Sequence, residues 1–170
     1  MKQLHFFDKS LDKINSCEQI NSWKLFVDGA SRNNPGLAGA GIYIVKNDKL
    51  AMKEGFFLGS KTNNQAEYLS LLLGIFYIKK YMCKDDLVII YSDSQLLVRQ
   101  MLGEYKVKNP ALRPLFQLAN KLLIDVQYNI VHVVREDNKD ADQMANVGID
   151  SSKKVPQDFL NLLRENEIPF

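Results

Sequence analysis

Apolar residues fall along the chain in two kinds of block, short continuous runs first and helical periods later. Trp23 to Val27 is a short apolar run and reads as a strand. It leads into Asp28-Gly29-Ala30-Ser31-Arg32-Asn33-Asn34-Pro35-Gly36, whose residue types predict a turn. Ala38 to Val45 is β-branched and aromatic and is closed by Asn47-Asp48; Leu50 to Gly59 reads as a third strand. Three strands joined by short turns predict an antiparallel meander.

The period then changes. Thr62 is placed to cap a helix, and Ala66, Leu69, Leu73, Phe76 and Tyr77 follow helical spacing. Leu87 to Tyr91 is a continuous apolar run, as in a strand buried on both faces. Ser92-Asp93-Ser94 breaks it. Helices are expected over Gln95 to Leu102, from Leu112 to Val126 and from Asp137 to Val147, with Ile130 to Val134 as a fifth strand and Pro156 to Glu165 as a last short helix. Strands first, then alternation with helices, predict an α/β fold: a five-stranded mixed sheet, three antiparallel strands then parallel ones, flanked by helices. Residues 1–22 are mixed and weakly periodic and are expected as an N-terminal extension. Residues 23–150 are expected as the domain, and 151–170 as a partly helical C-terminal tail.

Composition narrows the class. The chain has 170 residues, 46% hydrophobic and 25% charged, which excludes a disordered, collagen-like or disulfide-stapled chain. A formal charge of +2, from 22 Lys+Arg against 20 Asp+Glu, is too weak to argue nucleic-acid binding, yet a negative site and a positive groove cancel in such a sum. Cys17 and Cys83 form no metal-spaced pair, and so few cysteines point to a reducing cytoplasmic setting. No signal peptide is expected at the N-terminus. The longest apolar stretch, around Leu69 to Ile78, is broken by Ser70 and Gly74, so no membrane span is expected.

Four carboxylates stand at element ends beside core positions. Asp28 follows the first strand, Asp93 the fourth, Glu67 lies near the start of the first helix, and Asp142 near the start of the helix after the fifth strand. An unpaired charge beside a core is costly, and clustered carboxylates raise one another's pKa unless cations neutralise them. Hard oxygen ligands without His or Cys suit Mg²⁺ or Mn²⁺. Two such ions can activate a water and stabilise a leaving oxygen in phosphodiester cleavage. Taken singly, each acid also has a bland reading as a turn former or an acid favoured in a helix's first turn.

The surrounding motifs add a resemblance. Asp28-Gly29-Ala30, Asn34-Pro35-Gly36 and Gly39-Ala40-Gly41 resemble the opening of type 1 ribonuclease H. Thr62-Asn63-Asn64-Gln65-Ala66-Glu67-Tyr68 is similar to its second motif, Ser92-Asp93-Ser94-Gln95 to its third, and Arg135 to Asn146 to its fourth. The similarity spans roughly Trp23 to Ile149, in the family's order. It implies cleavage of the RNA strand of RNA–DNA hybrids with two divalent ions, leaving 5′-phosphate and 3′-hydroxyl ends. Carried over by position, Asp28 bridges both ions, Glu67 and Asp93 hold the one near the leaving group, and Asp142 the one that activates water. Asp140 competes for that last role. Asp142 is preferred because Ala141-Asp142-Gln143-Met144-Ala145-Asn146 matches the motif, and a two-residue shift turns a helical side chain to about the opposite face.

The resemblance also implies substrate contacts. Asn34, Asn64 and Gln95 match positions that face the minor groove, where an amide can both donate to and accept from a 2′-hydroxyl. Thr62 and Asn109 match a pocket for a DNA-strand phosphate. Two departures stand out. Many members carry a basic protrusion between the second and third helices; here Tyr105 to Pro110 joins them directly, with Lys106, Lys108 and Arg113 as partial substitutes. Many also carry a loop histidine before the last acid; here Arg135 to Asp140 has none, and Glu136 is the candidate accessory group. His132 is expected inside the fifth strand, where a histidine is more often structural. The partner expected is an RNA–DNA hybrid bound by a monomer. The alternatives are a nuclease preferring double-stranded RNA or RNA–DNA junctions, and a binding module that kept the fold without catalysis; retention of all four acids argues against the latter.

Overall fold

The computed structural model describes residues 19–170, so most of the expected N-terminal extension lies outside the described residues. Strands β1 (Ser22–Arg32), β2 (Gly36–Lys46) and β3 (Lys49–Lys61) form the meander. Helix α1 (Asn63–Tyr81) leads to β4 (Leu87–Ser92), helices α2 (Gln95–Met101) and α3 (Arg113–Leu123) lead to β5 (Gln127–His132), and α4 (Lys139–Ser151) and α5 (Gln157–Glu165) follow. The sheet order is β3-β2-β1-β4-β5, with β4 parallel to both β1 and β5.

Three boundaries differ from the expected ones. The segment from Asp28 to Arg32 is strand, not turn: it pairs with β2 as far as Arg32↔Leu37, and only Asn33–Pro35 turn. Strand β5 begins and ends earlier than expected. It is an edge strand whose one partner is β4, and it stops where Ser92 pairs with His132. His132 therefore stands exposed at the strand's end rather than inside it. The helix expected from Asp137 starts at Lys139, because Arg135–Asp137 forms its own 3₁₀ turn and Asn138 leaves helical geometry at φ −111°, ψ 15°.

Helix α1 opens with a reciprocal cap. The Thr62 hydroxyl accepts from Gln65 N at 3.2 Å, and the Gln65 side chain accepts from Thr62 N at 2.9 Å. The helix is buried on most sides because it lies between the sheet, α3 and the C-terminal segment. From that segment Val155, Phe159, Leu163 and Ile168 enter the core, and the Phe159 ring meets Phe76 edge-on at 5.6 Å.

Helix α4 covers the other sheet face at unusually short range. A Cβ on Gly41 would stand 1.9 Å from Ala141 O, and one on Gly55 2.0 Å from Met144 O. Only glycine at both positions lets the helix backbone rest on β2 and β3. Sequence pattern, close approach and site are linked here, since α4 carries Asp142.

Candidate active site

Neighbouring parallel strands deliver two of the acids. β1 and β4 pair as far as Phe26↔Tyr91, and Asp28 and Asp93 each stand two residues beyond that pair. The charge of Asp93 acts on the Asp28 carboxyl across this short gap between the two strands. Asp28 is opposite Gly41 in the β1–β2 ladder, so it projects toward α4 and Asp142. Glu67 arrives from α1 on the opposite face, where its Oε2 accepts from Gly29 N at 3.2 Å. Asp28 and Glu67 are each only 6% exposed.

Burial and mutual repulsion set the charge state of this cluster. Burial, then the charges of Asp93 and Asp142, push the Asp28 carboxyl up to about 7, and Arg135 offsets part of that rise. Burial, then Asp28 and Asp93, hold Glu67 well above the usual carboxylate range despite the Gly29 amide. Asp142 accepts from Arg135 Nη2 at 2.6 Å. That hydrogen bond, reinforced by the Asp142 charge, raises the Arg135 pKa.

The competition between the two helix acids is decided by direction. Asp140 is turned away and pairs with Lys53 Nζ at 2.6 Å, whereas the charge of Asp142 acts on Asp28. The four acids that meet thus come from β1, α1, the turn after β4 and α4. Among the described residues no group of three or more carboxylate, imidazole or thiol side chains forms a ready-made ion cage. The donor set still fits a hard divalent cation: carboxylate oxygens only, two of them on buried groups whose ionised forms lack a cationic neighbour other than Arg135.

The expected substrate residues lie around this centre. Asn64 and Gln95 are exposed in the first turns of α1 and α2. Asn34 is exposed in the β1–β2 turn, and its Oδ1 accepts from Asn63 N at 3.0 Å, tying that turn to α1. Thr62 is occupied as the α1 cap, and Asn109 Oδ1 accepts from Ala111 N at 2.8 Å; among the described residues no hydrogen bond joins the two. Beside the acids a cleft of about 330 Å³ runs between α2 and β5, lined by Gln95, Arg99, Leu102, Val131 and His132. The His132 ring Nε2 lies 3.2 Å from Asp93 O.

Of two residues at the centre, the sequence reading gave Arg135 only a charge-balancing part in its loop and gave Asn138 no role. The loop before α4 reaches the acids through Arg135, while Glu136 is exposed and makes no hydrogen bond or ion pair to them. Asn138 is 1% exposed and donates both to Val27 O, at 2.9 Å, and to Asp93 Oδ1, at 2.8 Å. The available signals were an arginine seven residues before Asp142 and an asparagine just before a helix, and neither type at that spacing is diagnostic alone.

Comparison with known proteins places this arrangement. Residues 26–148 match the family model described as "Reverse transcriptase-like". Ribonuclease HI of Halobacterium salinarum is 36% identical over 129 residues, covering 75% of this chain and 64% of that protein. A bifunctional protein of Mycobacterium tuberculosis is 35% identical over 128 residues, 74% of this chain and 35% of its own length. The chain thus spans under two thirds of these relatives. The crystal structure of Halobacterium salinarum RNase H1 superposes with a TM-score of 0.72 at 33% identity, covering 76% of this chain and 98% of that one. LC11-RNase H1, solved in complex with an RNA/DNA hybrid, gives 0.73 at 32% identity over 76% and 98%.

Proposed function

The chain belongs to the type 1 ribonuclease H family, and from that premise we propose that it hydrolyses the RNA strand of RNA–DNA hybrids as a metal-dependent endonuclease. One observation carries the reading: Asp28, buried on β1, is crowded by the charges of Asp93 and Asp142, and buried Glu67 by those of Asp28 and Asp93, from four separate parts of the fold. Nothing in folding alone rewards such crowding.

In this reading the four acids would hold two divalent ions, Mg²⁺ or Mn²⁺: Asp28 would serve both, Glu67 and Asp93 the one that aids the leaving group, and Asp142 the one that activates water. When bound, such ions supply Lewis acidity to the attacking water and the leaving oxygen. The protein's own part is to fix the acids on β1, the end of β4 and two helices before the substrate arrives. Asn34, Asn64 and Gln95 read 2′-hydroxyls along the RNA strand, and Thr62 with Asn109 takes a DNA-strand phosphate. The products carry 5′-phosphate and 3′-hydroxyl ends, and the setting is cytoplasmic with the chain acting as a monomer.

A cleavage assay on end-labelled hybrid, double-stranded RNA and a DNA duplex with one ribonucleotide, each with Mg²⁺, Mn²⁺ or EDTA, tests this. Metal-dependent cutting of the hybrid well above the other two substrates is expected. Preference for the double-stranded RNA or the single ribonucleotide overturns the substrate assignment. No cutting of any substrate with either ion overturns the activity.

A further inference from the structure

Asn138 stands where an asparagine ordinarily caps a helix, just before α4. It does not cap: its side chain makes no hydrogen bond to the α4 amides. Both amide hydrogens are spent elsewhere, on Val27 O, next to Asp28, and on Asp93 Oδ1. Its backbone carbonyl accepts from Asp142 N at 3.1 Å. One buried residue therefore touches β1 beside one acid, a second acid directly, and the helix turn that bears a third.

The orientation of this amide is forced. Val27 O and Asp93 Oδ1 are both acceptors, so a flipped side chain would set Oδ1 against two oxygens. With Nδ2 so placed, Oδ1 is left buried, and it is the one buried side-chain polar atom without a hydrogen-bond partner among the described residues. Buried acceptors are almost always satisfied, and exceptions mark functional or hydrated positions.

We propose that Asn138 is a positioning residue for the metal-binding carboxylates, fixing the Asp93 carboxylate by donation and the start of α4 by its carbonyl. This rests on the metal-dependent activity proposed above. Groups that orient ligands without touching the ion are worth roughly 10–100-fold in metal affinity or activity.

The test compares wild type, Asn138→Ser and Asn138→Asp by three measurements: melting in EDTA, Mn²⁺ binding by calorimetry without hybrid, and kcat and KM for hybrid against Mg²⁺ concentration. Asn138→Ser takes the donors from Val27 O and Asp93 Oδ1, so it should melt somewhat below wild type, and affinity and kcat are compared where both proteins are folded. It should bind Mn²⁺ roughly 10-fold more weakly and lose kcat with little change in KM. Asn138→Asp keeps size and capping ability but sets an oxygen against Val27 O and Asp93, and should be impaired at least as much. Asn138→Ser with wild-type Mn²⁺ affinity and kcat overturns the proposal, as does a loss of affinity that disappears once both proteins are compared fully folded. If wild type itself cuts no hybrid, the activity reading falls, while the Mn²⁺ isotherms still decide the role of Asn138.

Discussion

Asp28 carries a charge that its surroundings disfavour, with burial and two neighbouring acids pushing its pKa up to about 7. Asp28→Asn removes that penalty and keeps the shape. Cleavage should fall to background under saturating Mg²⁺, while the melting temperature in EDTA near pH 8 stays at or above that of wild type. Retained cleavage would remove Asp28 from the mechanism. Asp86 is the opposite case, far from the site. Burial alone would raise its pKa, but Trp23 Nε1 at 2.8 Å, Asn21 N at 2.8 Å and Cys83 N at 3.0 Å donate to it and hold it below the usual value. A carboxyl with a depressed folded pKa contributes stability that is present above its unfolded value of 3.8 and is lost as pH falls through the lower folded one. Asp86→Asn should thus cost about 1–3 kcal/mol in urea titrations at pH 7, shrinking toward acid pH, with hybrid cleavage unchanged where both proteins are folded. A stability difference that grows on acidification would contradict the assignment. The four acids were legible because each sits in a motif of its own. Asn138 was not, because its role depends on contacts with Val27 and Asp93 across the fold that no local spacing encodes, and Arg135 was read as balancing loop charge without its partner Asp142 being named. His132 does lie in the fifth strand, but as its exposed last residue, because β5 starts and stops earlier than its apolar residues suggest; His132→Ala should change stability by about 0.5 kcal/mol or less.

Helix α4 shows how one element sets the site. Its contact with the sheet depends on glycines whose hydrogens touch the helix backbone, Gly41 beneath Ala141 and Gly55 beneath Met144. Gly41 is also the ladder partner of Asp28. Gly41→Ala forces the helix outward at the turn bearing Asp142, so stability should fall by about 1–3 kcal/mol and kcat by more than the folded fraction explains. Circular dichroism melts with kinetics on the folded protein check this; activity that follows the folded fraction alone would show that α4 placement is not what Asp142 needs. Asp28 to Gly36 looks like loop in a one-dimensional reading although β1 pairs as far as Arg32, because Gly29 is small to let the α1 backbone rest on the strand rather than to reverse the chain. The helices α3 and α5 were placed more closely, since each buries one apolar face, Leu115, Leu118 and Leu123 on α3 and Phe159 and Leu163 on α5. The start of α4 was not, because Asn138 leaves helical geometry to reach Val27 and Asp93.

At the scale of the whole molecule, charge is nearly balanced, and the grip on a polyanion must come from where cations stand. The connection between α2 and α3, residues 102–112, carries no helix and presents Lys106 and Lys108, with Arg113 opening α3; all three are exposed. A family member with a basic protrusion places more fixed cations at this point. A lysine seated on a phosphate releases about one counterion, so each such lysine that is missing flattens the dependence of log affinity on log salt by about one unit. Hybrid binding by the Asp28→Asn variant, titrated from low to high salt, should therefore be weaker and less salt-dependent than that of a protrusion-bearing member carrying the matching substitution. Replacing Lys106 and Lys108 with alanine then separates two outcomes. If they touch the hybrid, the slope falls further, by up to about two units. If the slope is already shallow and does not move, the phosphates are held elsewhere on the fold. A slope as steep as the comparator's, with Lys106 and Lys108 in place, would mean that this short connection, or a segment outside the described residues, fully replaces the protrusion.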